Sequence, residues 1–229
     1  MTAHPPASHL KLVVAPDVRE LGLHHVRAWT LSCDASPLDP ALDPAGAAEL
    51  LNRFPRDDSA PGYRRLLAAL GHPQTTPAGE RLRDLVAARP WRGHGGVIDA
   101  VTVASVAIGG GIGLHDLTRA TDATTILVRR SPGGERIVPA FSTRSRPIPR
   151  GDLTYGAQGP GGTFEPLAWL GRRDTDSAGH QVSAQSRTVC VIALGHPGDD
   201  PRHTESVITI VESVLGHLGI RMEITEIPG

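Results

Sequence analysis

Residues 97–121, VIDAVTVASVAIGGGIGLHDLTRAT, decide how this chain is read. Residues 97–107 are small and β-branched, so they suit either a buried helix or a buried strand, and periodicity alone does not separate the two. Asp99 interrupts the apolar run. Gly109, Gly110, Gly111 and Gly113 then break it, and Asp116 follows. A glycine run leaves backbone N–H groups open to close approach by a ligand, such as an ester carbonyl or a phosphate. No Gly-Lys-Ser/Thr follows, which disfavours a nucleoside triphosphate loop. The two carboxylates fit a local role: Asp99 would anchor the loop by accepting backbone N–H groups, and Asp116 would cap a helix HDLTRA.

On the N-terminal side the chain reads as a strand in LKLVV, a short helix opened by Pro16-Asp17, and a strand within 24–35. Three helices follow: one from about Ala45, one in SAPGYRRLLAALG with Ser59 as N-cap and Gly71 as C-cap, and one over 75–89. In the last, Thr76 is the expected N-cap, Pro77 lies in the first turn and Glu80 sits near capping-box spacing. On the C-terminal side TTILVRRS is a strand, and Gly133-Gly134 suggests a hairpin to RIVPAF. Residues 151–171 read as strand, glycine turn, strand. QSRTVCVIALG (185–195) is a continuous apolar run and therefore a central buried strand. Residues 200–220 show helical spacing, and the chain closes on a strand. Helices come early and strands predominate after residue 120, which predicts an α+β fold of mixed and antiparallel sheets. Residues 1–9 are expected as a disordered tail and 10–229 as one domain, with 142–150 as a surface loop.

Composition narrows the classes. The chain has 229 residues, with 23 Lys+Arg against 24 Asp+Glu. A protein that coats nucleic acid by charge is thereby excluded, DNA included, and any RNA contact is local. Lys11 is the sole lysine, so arginine abundance follows a composition bias and is no phosphate signal by itself. Cys33 and Cys190 have no metal-ligand spacing and read as free thiols; no metal and no cofactor are expected. HPGDDPRH (196–203) reads as an N-cap loop. No signal peptide or membrane span is legible, which predicts a cytoplasmic protein. No G-x-S-x-G elbow or Ser-His-Asp arrangement is present.

The order of segments resembles the B3/B4 domain, the module that forms the editing site of the phenylalanyl-tRNA synthetase β-subunit, in a free-standing form. GYRRLL (62–67) and TTPAGERLRDLV (75–86) fill the places of two family helices. GGVIDAVTVASVAIGGGIGLHDLT (95–118) corresponds to the N-x-x-VDAxNxxSLxxxLPIGxxDLD signature, with Thr102 at its Asn and Gly109–Gly111 at its Leu-Pro-Ile region. LVRRSPGGE (127–135), GDLTYGAQGPGG (151–162) and WLGRRDTDSAGHQVSAQS (169–186) follow in family order. The likeness runs from Leu10 to about Gly219.

This resemblance implies hydrolysis of the ester between an amino acid and the tRNA 3′ end. The ester is already activated, so the reaction needs a held water, oxyanion donors and a grip on the α-ammonium, with no protein nucleophile. Carried onto this sequence, His115, Asp174 and His180 become candidate catalytic residues. Asp99, Thr102, Gly110, Gly111, Gly113, Asp116, Arg129, Arg173, Thr175 and Ser177 become candidate substrate contacts. Arg173 would grip a carboxylate or phosphate, and Asp174 or Asp176 an ammonium. The two histidines would orient a water or touch the terminal ribose. The expected partner is the 3′ end of aminoacyl-tRNA, with a partner protein as a possible source of RNA affinity. Two other readings share the ligand: an acyltransferase that passes the acyl group to an amine, and a binding module without turnover. With aromatics at 3%, a small or polar acyl side chain is expected.

Overall fold

Strand β10 (Thr188–Ala193) is the centre of the molecule because it is apolar on both faces. Val189, Val191 and Ala193 point into one core cluster, and Cys190, Ile192 and the following Leu194 into another. A strand buried on both sides reads in sequence as an unbroken apolar run. The computed structural model describes residues 10–54, 56, 60–118, 120, 122–172 and 175–229; the expected tail over 1–9 and the Ser59 cap lie outside them.

β10 lies between β2 (Arg27–Ser32) and β3 (Ile112–Asp116), with β11 (Glu223–Glu226) outside β2, all antiparallel. A second sheet runs β1 (Lys11–Val14), β4 (Thr125–Arg130), β7 (Leu153–Gln158), β8 (Phe164–Leu170), β9 (Thr175–Asp176). Its β1–β4 pair is parallel and the rest antiparallel, and the short helix α1 (Pro16–Arg19) follows β1. The sheets face each other through Leu12, Ile126, Val128, Leu153, Tyr155, Leu167, Cys190 and Ile192. On the far face of the first sheet lie α2 (Pro44–Arg53), α5 (Gly96–Ile108) and α6 (Pro201–His217). The layers are thus helices, sheet, sheet. This is the expected α+β class.

Residues 97–107 resolve as helix. α5 is apolar on nearly every side because α6, α4 (Ala78–Ala88) and β10 surround it. Its N-terminal loop is gathered by Asp99, whose buried carboxylate accepts N–H bonds from Leu42 at 2.9 Å, His94 at 2.8 Å and Gly95 at 3.2 Å. The helix stops at Gly109, and Arg83 of α4 donates to the end carbonyls of Val106 and Ala107. A cation there also opposes the helix dipole.

Several local expectations are corrected. HDLTRA is no helix: β3 runs to Asp116, whose Oδ1 accepts from Thr118 N while Oδ2 accepts from the Ser186 hydroxyl. Pairing with β10 wins over local helix signals. Pro77 stands at the N-cap of α4 in place of Thr76, and Glu80 is held by Arg64 of α3 (Ala60–Ala69) rather than in a capping box. The Gly133-Gly134 turn does not return a strand onto β4. β5 (Arg136–Ile137) pairs instead with β6 (Arg146–Pro147), inside the stretch expected as loop, while β4 pairs with β1 and β7.

The buried Asp99 carries most risk on substitution. Asp99→Ala strands three backbone donors in the core, each costing ~1–3 kcal/mol, so a loss of ~3 kcal/mol or more is expected. Asp43 caps α2 from an exposed position; Asp43→Ala should lose ~1 kcal/mol. Urea midpoints of the two variants check the contrast.

Candidate active site

The two sheets end side by side. β3 is the last strand of one and β9 the last strand of the other. The outer side of β9 is bridged by Pro139 opposite Ser177 and by Ala140 N on Asp176 O, whereas no further strand pairs with the outer side of β3 among the described residues. A cleft of about 270 Å³ lies there. Gly111, Ile112 and Gly113 form one wall and Thr175 and Asp176 another. Tyr63, Leu66 and Leu67 of α3, and Pro77, Ala78 and Arg81 around the start of α4, close it from the helical side; Tyr155, Ala168 and Leu170 of the second sheet complete it.

The chain has two tyrosines, and both line this cleft. Their positions explain the glycine run. A Cβ on Gly110 would lie 2.1 Å from the Tyr63 ring, and one on Gly113 would lie 2.0 Å from Tyr155 Oη. Only a bare backbone admits these rings. A Cβ on Gly111 would meet nothing nearer than Ala78 Cβ at 3.5 Å, an ordinary contact. Gly111 is therefore the glycine of the run whose missing side chain opens space in the cleft rather than seating a tyrosine.

Each tyrosine hydroxyl is paired with a buried histidine: Tyr63 with His203 Nε2 at 2.9 Å, Tyr155 with His115 Nε2 at 2.9 Å. Gly113 and His115 share a face of β3, which is why one tyrosine touches both. His115 is fully buried, and among the described residues its Nδ1 has no hydrogen-bond partner. A bare buried acceptor is tolerated better than a bare N–H, so the ring proton belongs on Nε2, which donates to Tyr155 Oη. Burial first, and the charge of protonated His180 second, push the His115 pKa down to about 3. His115 is a neutral hydrogen-bond donor sealed behind Tyr155, and does not itself line the cleft.

The remaining sequence candidates divide. Gly111, Gly113 and Thr175 line the cleft. Thr102, Ser177 and His180 line a neighbouring cavity of about 290 Å³, which shares Ile112 and Asp176 with the first. His180 Nδ1 donates to the Asp116 carbonyl at 2.9 Å. Its Nε2 lies 2.9 Å from Glu165 Oε1 but outside hydrogen-bonding alignment. Thr102 spends its hydroxyl on the Ile98 carbonyl at 2.8 Å. Asp99 and Asp116 line neither cavity; both are engaged by backbone and loop groups. Arg129 lines neither: it pairs with Glu135 and stacks 4.0 Å from the Phe164 ring centroid. Gly110 lies under Tyr63. Arg173 and Asp174 lie outside the described residues.

Tyr63, Tyr155 and Arg81 line the cleft but are not among the residues the sequence singled out. The signal was present, since both tyrosines stand inside the quoted segments GYRRLL and GDLTYGAQGPGG.

Two outcomes follow from this geometry. Gly110→Ala and Gly113→Ala should each destabilise by ~1–3 kcal/mol through overpacking, while Gly111→Ala should shift stability by less than ~0.5 kcal/mol; thermal melts distinguish them. For pH, the unfolded His115 titrates near its ordinary 6.5 and the folded one near 3. Between those values the unfolded chain binds the extra proton, so folding stability falls as pH drops, by up to ~1.4 kcal/mol per pH unit. His115→Gln should remove that slope in urea titrations run from pH 7 to 4.

No protein-family model and no curated protein matches the chain. Among solved structures, the fold matches an N-terminal fragment of the phenylalanyl-tRNA synthetase β-subunit from Pyrococcus horikoshii, with a TM-score of 0.51 and 8% sequence identity. The match covers 96% of this chain and 55% of that one, so the chain spans about half the length of the fragment. This chain therefore has a fold related to that fragment's.

Proposed function

We propose that the cleft binds an aminoacyl ester and that the chain hydrolyses mischarged aminoacyl-tRNA in trans, as a free-standing module of the B3/B4 type. One observation supports the reading: the open backbone at Gly111, at the start of β3, lines the same cleft as Thr175 and Asp176, and that cleft has room for an amino acid. The order of B3/B4-like segments in the sequence supports it, and so does the related fold of a synthetase β-subunit fragment.

In this reading the Asp176 carboxylate receives the α-ammonium by a charge-assisted bond. Backbone N–H groups on the unpaired side of β3 receive the carbonyl oxygen as it gains charge. A water held beside Thr175 attacks the carbonyl carbon. The bond to the ribose oxygen breaks, the water's proton passes to that oxygen, and a free amino acid and an RNA hydroxyl leave. His115 acts only by holding Tyr155, and His180 by holding the β3 end at Asp116. The walls from Leu66, Leu67, Ala168 and Leu170 are apolar, so the acyl side chain they favour is apolar rather than charged.

A panel of mischarged tRNAs assayed for release of the amino acid tests the reading. At least one member should turn over above buffer. Asp176→Asn should cut kcat/KM on that substrate by ~10- to 100-fold, the range for a hydrogen bond to a charged group. Gly111→Ala should raise KM without loss of fold. Absence of turnover on every member overturns the hydrolase; release of an amide when an amine is supplied would favour acyl transfer instead.

A further inference from the structure

Phe141 is 97% exposed and has φ 60°, in the left-handed region. A lone exposed aromatic is unremarkable, but this one is displayed by a fixed loop. Ala140 N donates to Asp176 O at 2.7 Å, Ser142 N to Pro139 O at 3.0 Å, and Ala178 N to Val138 O at 2.8 Å. A phenylalanine in this conformation carries backbone strain and gains no burial here. The neighbours therefore impose the conformation, and the ring is held in water at the rim of the second cavity.

The cavity, its junction with the first cleft and the segment that carries Phe141 bear on what this face could take; of that segment, Ala140 and Phe141 line the cavity. The cavity is apolar on Ile98, Val101, Ile112, Leu114 and Val182, with Ser105 and Gln181 as hydrogen-bonding groups. It meets the first cleft at Ile112 and Asp176. Residues 136–150, RIVPAFSTRSRPIPR, carry four arginines and no acid in a chain of net charge −1. Arg136, Arg144, Arg146 and Arg150 are all exposed. Arg136 braces the loop through Ser145, at 3.0 Å to its hydroxyl and 3.1 Å to its carbonyl.

We propose that Phe141 is the platform on which the 3′-terminal base of a single-stranded RNA stacks, with the second cavity taking that nucleoside and Arg144 and Arg146 taking the phosphates before it. The identification of RNA rests on the deacylase reading. An acyl group and the ribose that carries it share one ester oxygen, so a nucleoside must lie in space continuous with the acyl cleft. The second cavity is continuous with it through a shared wall. Single-stranded RNA is held by just this combination of aromatic faces and cationic groups along the backbone, and an exposed phenylalanine beside an acid-free arginine segment supplies both.

The test is fluorescence anisotropy with a short, unacylated, 5′-fluorescein-labelled RNA ending in 3′-CCA. The wild-type chain should bind it with an affinity that falls as salt rises. Phe141→Ala should weaken binding ~10-fold with an unchanged melting midpoint. Phe141→Trp should restore binding to within about threefold, and its emission should be quenched by the RNA. Arg144→Ser with Arg146→Ser should lower the log–log salt slope by about 1.4, the value for two phosphate contacts on a single strand. Wild-type-like binding by Phe141→Ala overturns the proposal and returns this face to a protein contact; so does an absence of wild-type RNA binding. Because the probe carries no acyl group, the result is separable from the hydrolase. RNA binding lost in Phe141→Ala without turnover on any tRNA upholds the platform alone. Turnover with KM unchanged by Phe141→Ala upholds the hydrolase alone.

Discussion

Two tyrosine rings occupy the space that side chains at Gly110 and Gly113 would take, and the layout of the molecule depends on that exchange. Tyr63 comes from the helical side and Tyr155 from the second sheet. The segment between α5 and β3 must accept one ring on each flank while turning from the helical layer into the sheet. The hydroxyls then need partners, since a buried phenol hydroxyl without a hydrogen bond offsets part of what burying its ring gains. His203 and His115 supply them. The glycine run is in the first place a packing device. The cleft is the space left where the two rings and the two sheet ends fail to close on each other.

Much of the fold was legible because its signals are local or two-sided. β10 announced itself as an unbroken apolar run, α6 by its helical spacing and Asp200 cap, and the β7–β8 hairpin by the glycines between its strands. What failed depended on distant partners. HDLTRA has the residues of a helix start, but Cys190 and Val189 of β10 claim His115 and Asp116 as sheet partners. The Gly133-Gly134 turn is a good local hairpin signal, yet β4 already has β1 on one side and β7 on the other. Propensity cannot report that both edges of a strand are taken.

The candidate site was legible in the same uneven way. Gly111, Gly113 and Thr175 could be singled out because glycine clusters and hydroxyl–acid turns stand out in a sequence, and they do meet in one cleft. Asp176 was named only as an alternative to Asp174, yet it borders both cavities. The tyrosines were passed over because rarity was read as unimportance. With two tyrosines in 229 residues, the opposite inference holds: a core built almost wholly from aliphatic side chains places a tyrosine where a ring and a hydroxyl are both used.

Buried histidine bears on chemistry as much as on stability. A catalytic base must reach the proton it takes and must titrate near the working pH. His115 meets neither condition: it is sealed from the cleft, and burial holds it neutral far below the ordinary histidine range. A ring that cannot charge can still fix a neighbour, because a donor that never changes state never releases Tyr155. Removing His115 should therefore act on the shape of the cleft wall rather than on proton transfer. An activated ester suits such a wall, since its hydrolysis asks for placed dipoles and a placed water more than for a strong base. The pairing of each tyrosine with a histidine and the backbone of β3 at the sheet end belong to one arrangement, in which the groups lining the cleft are held in place by buried partners.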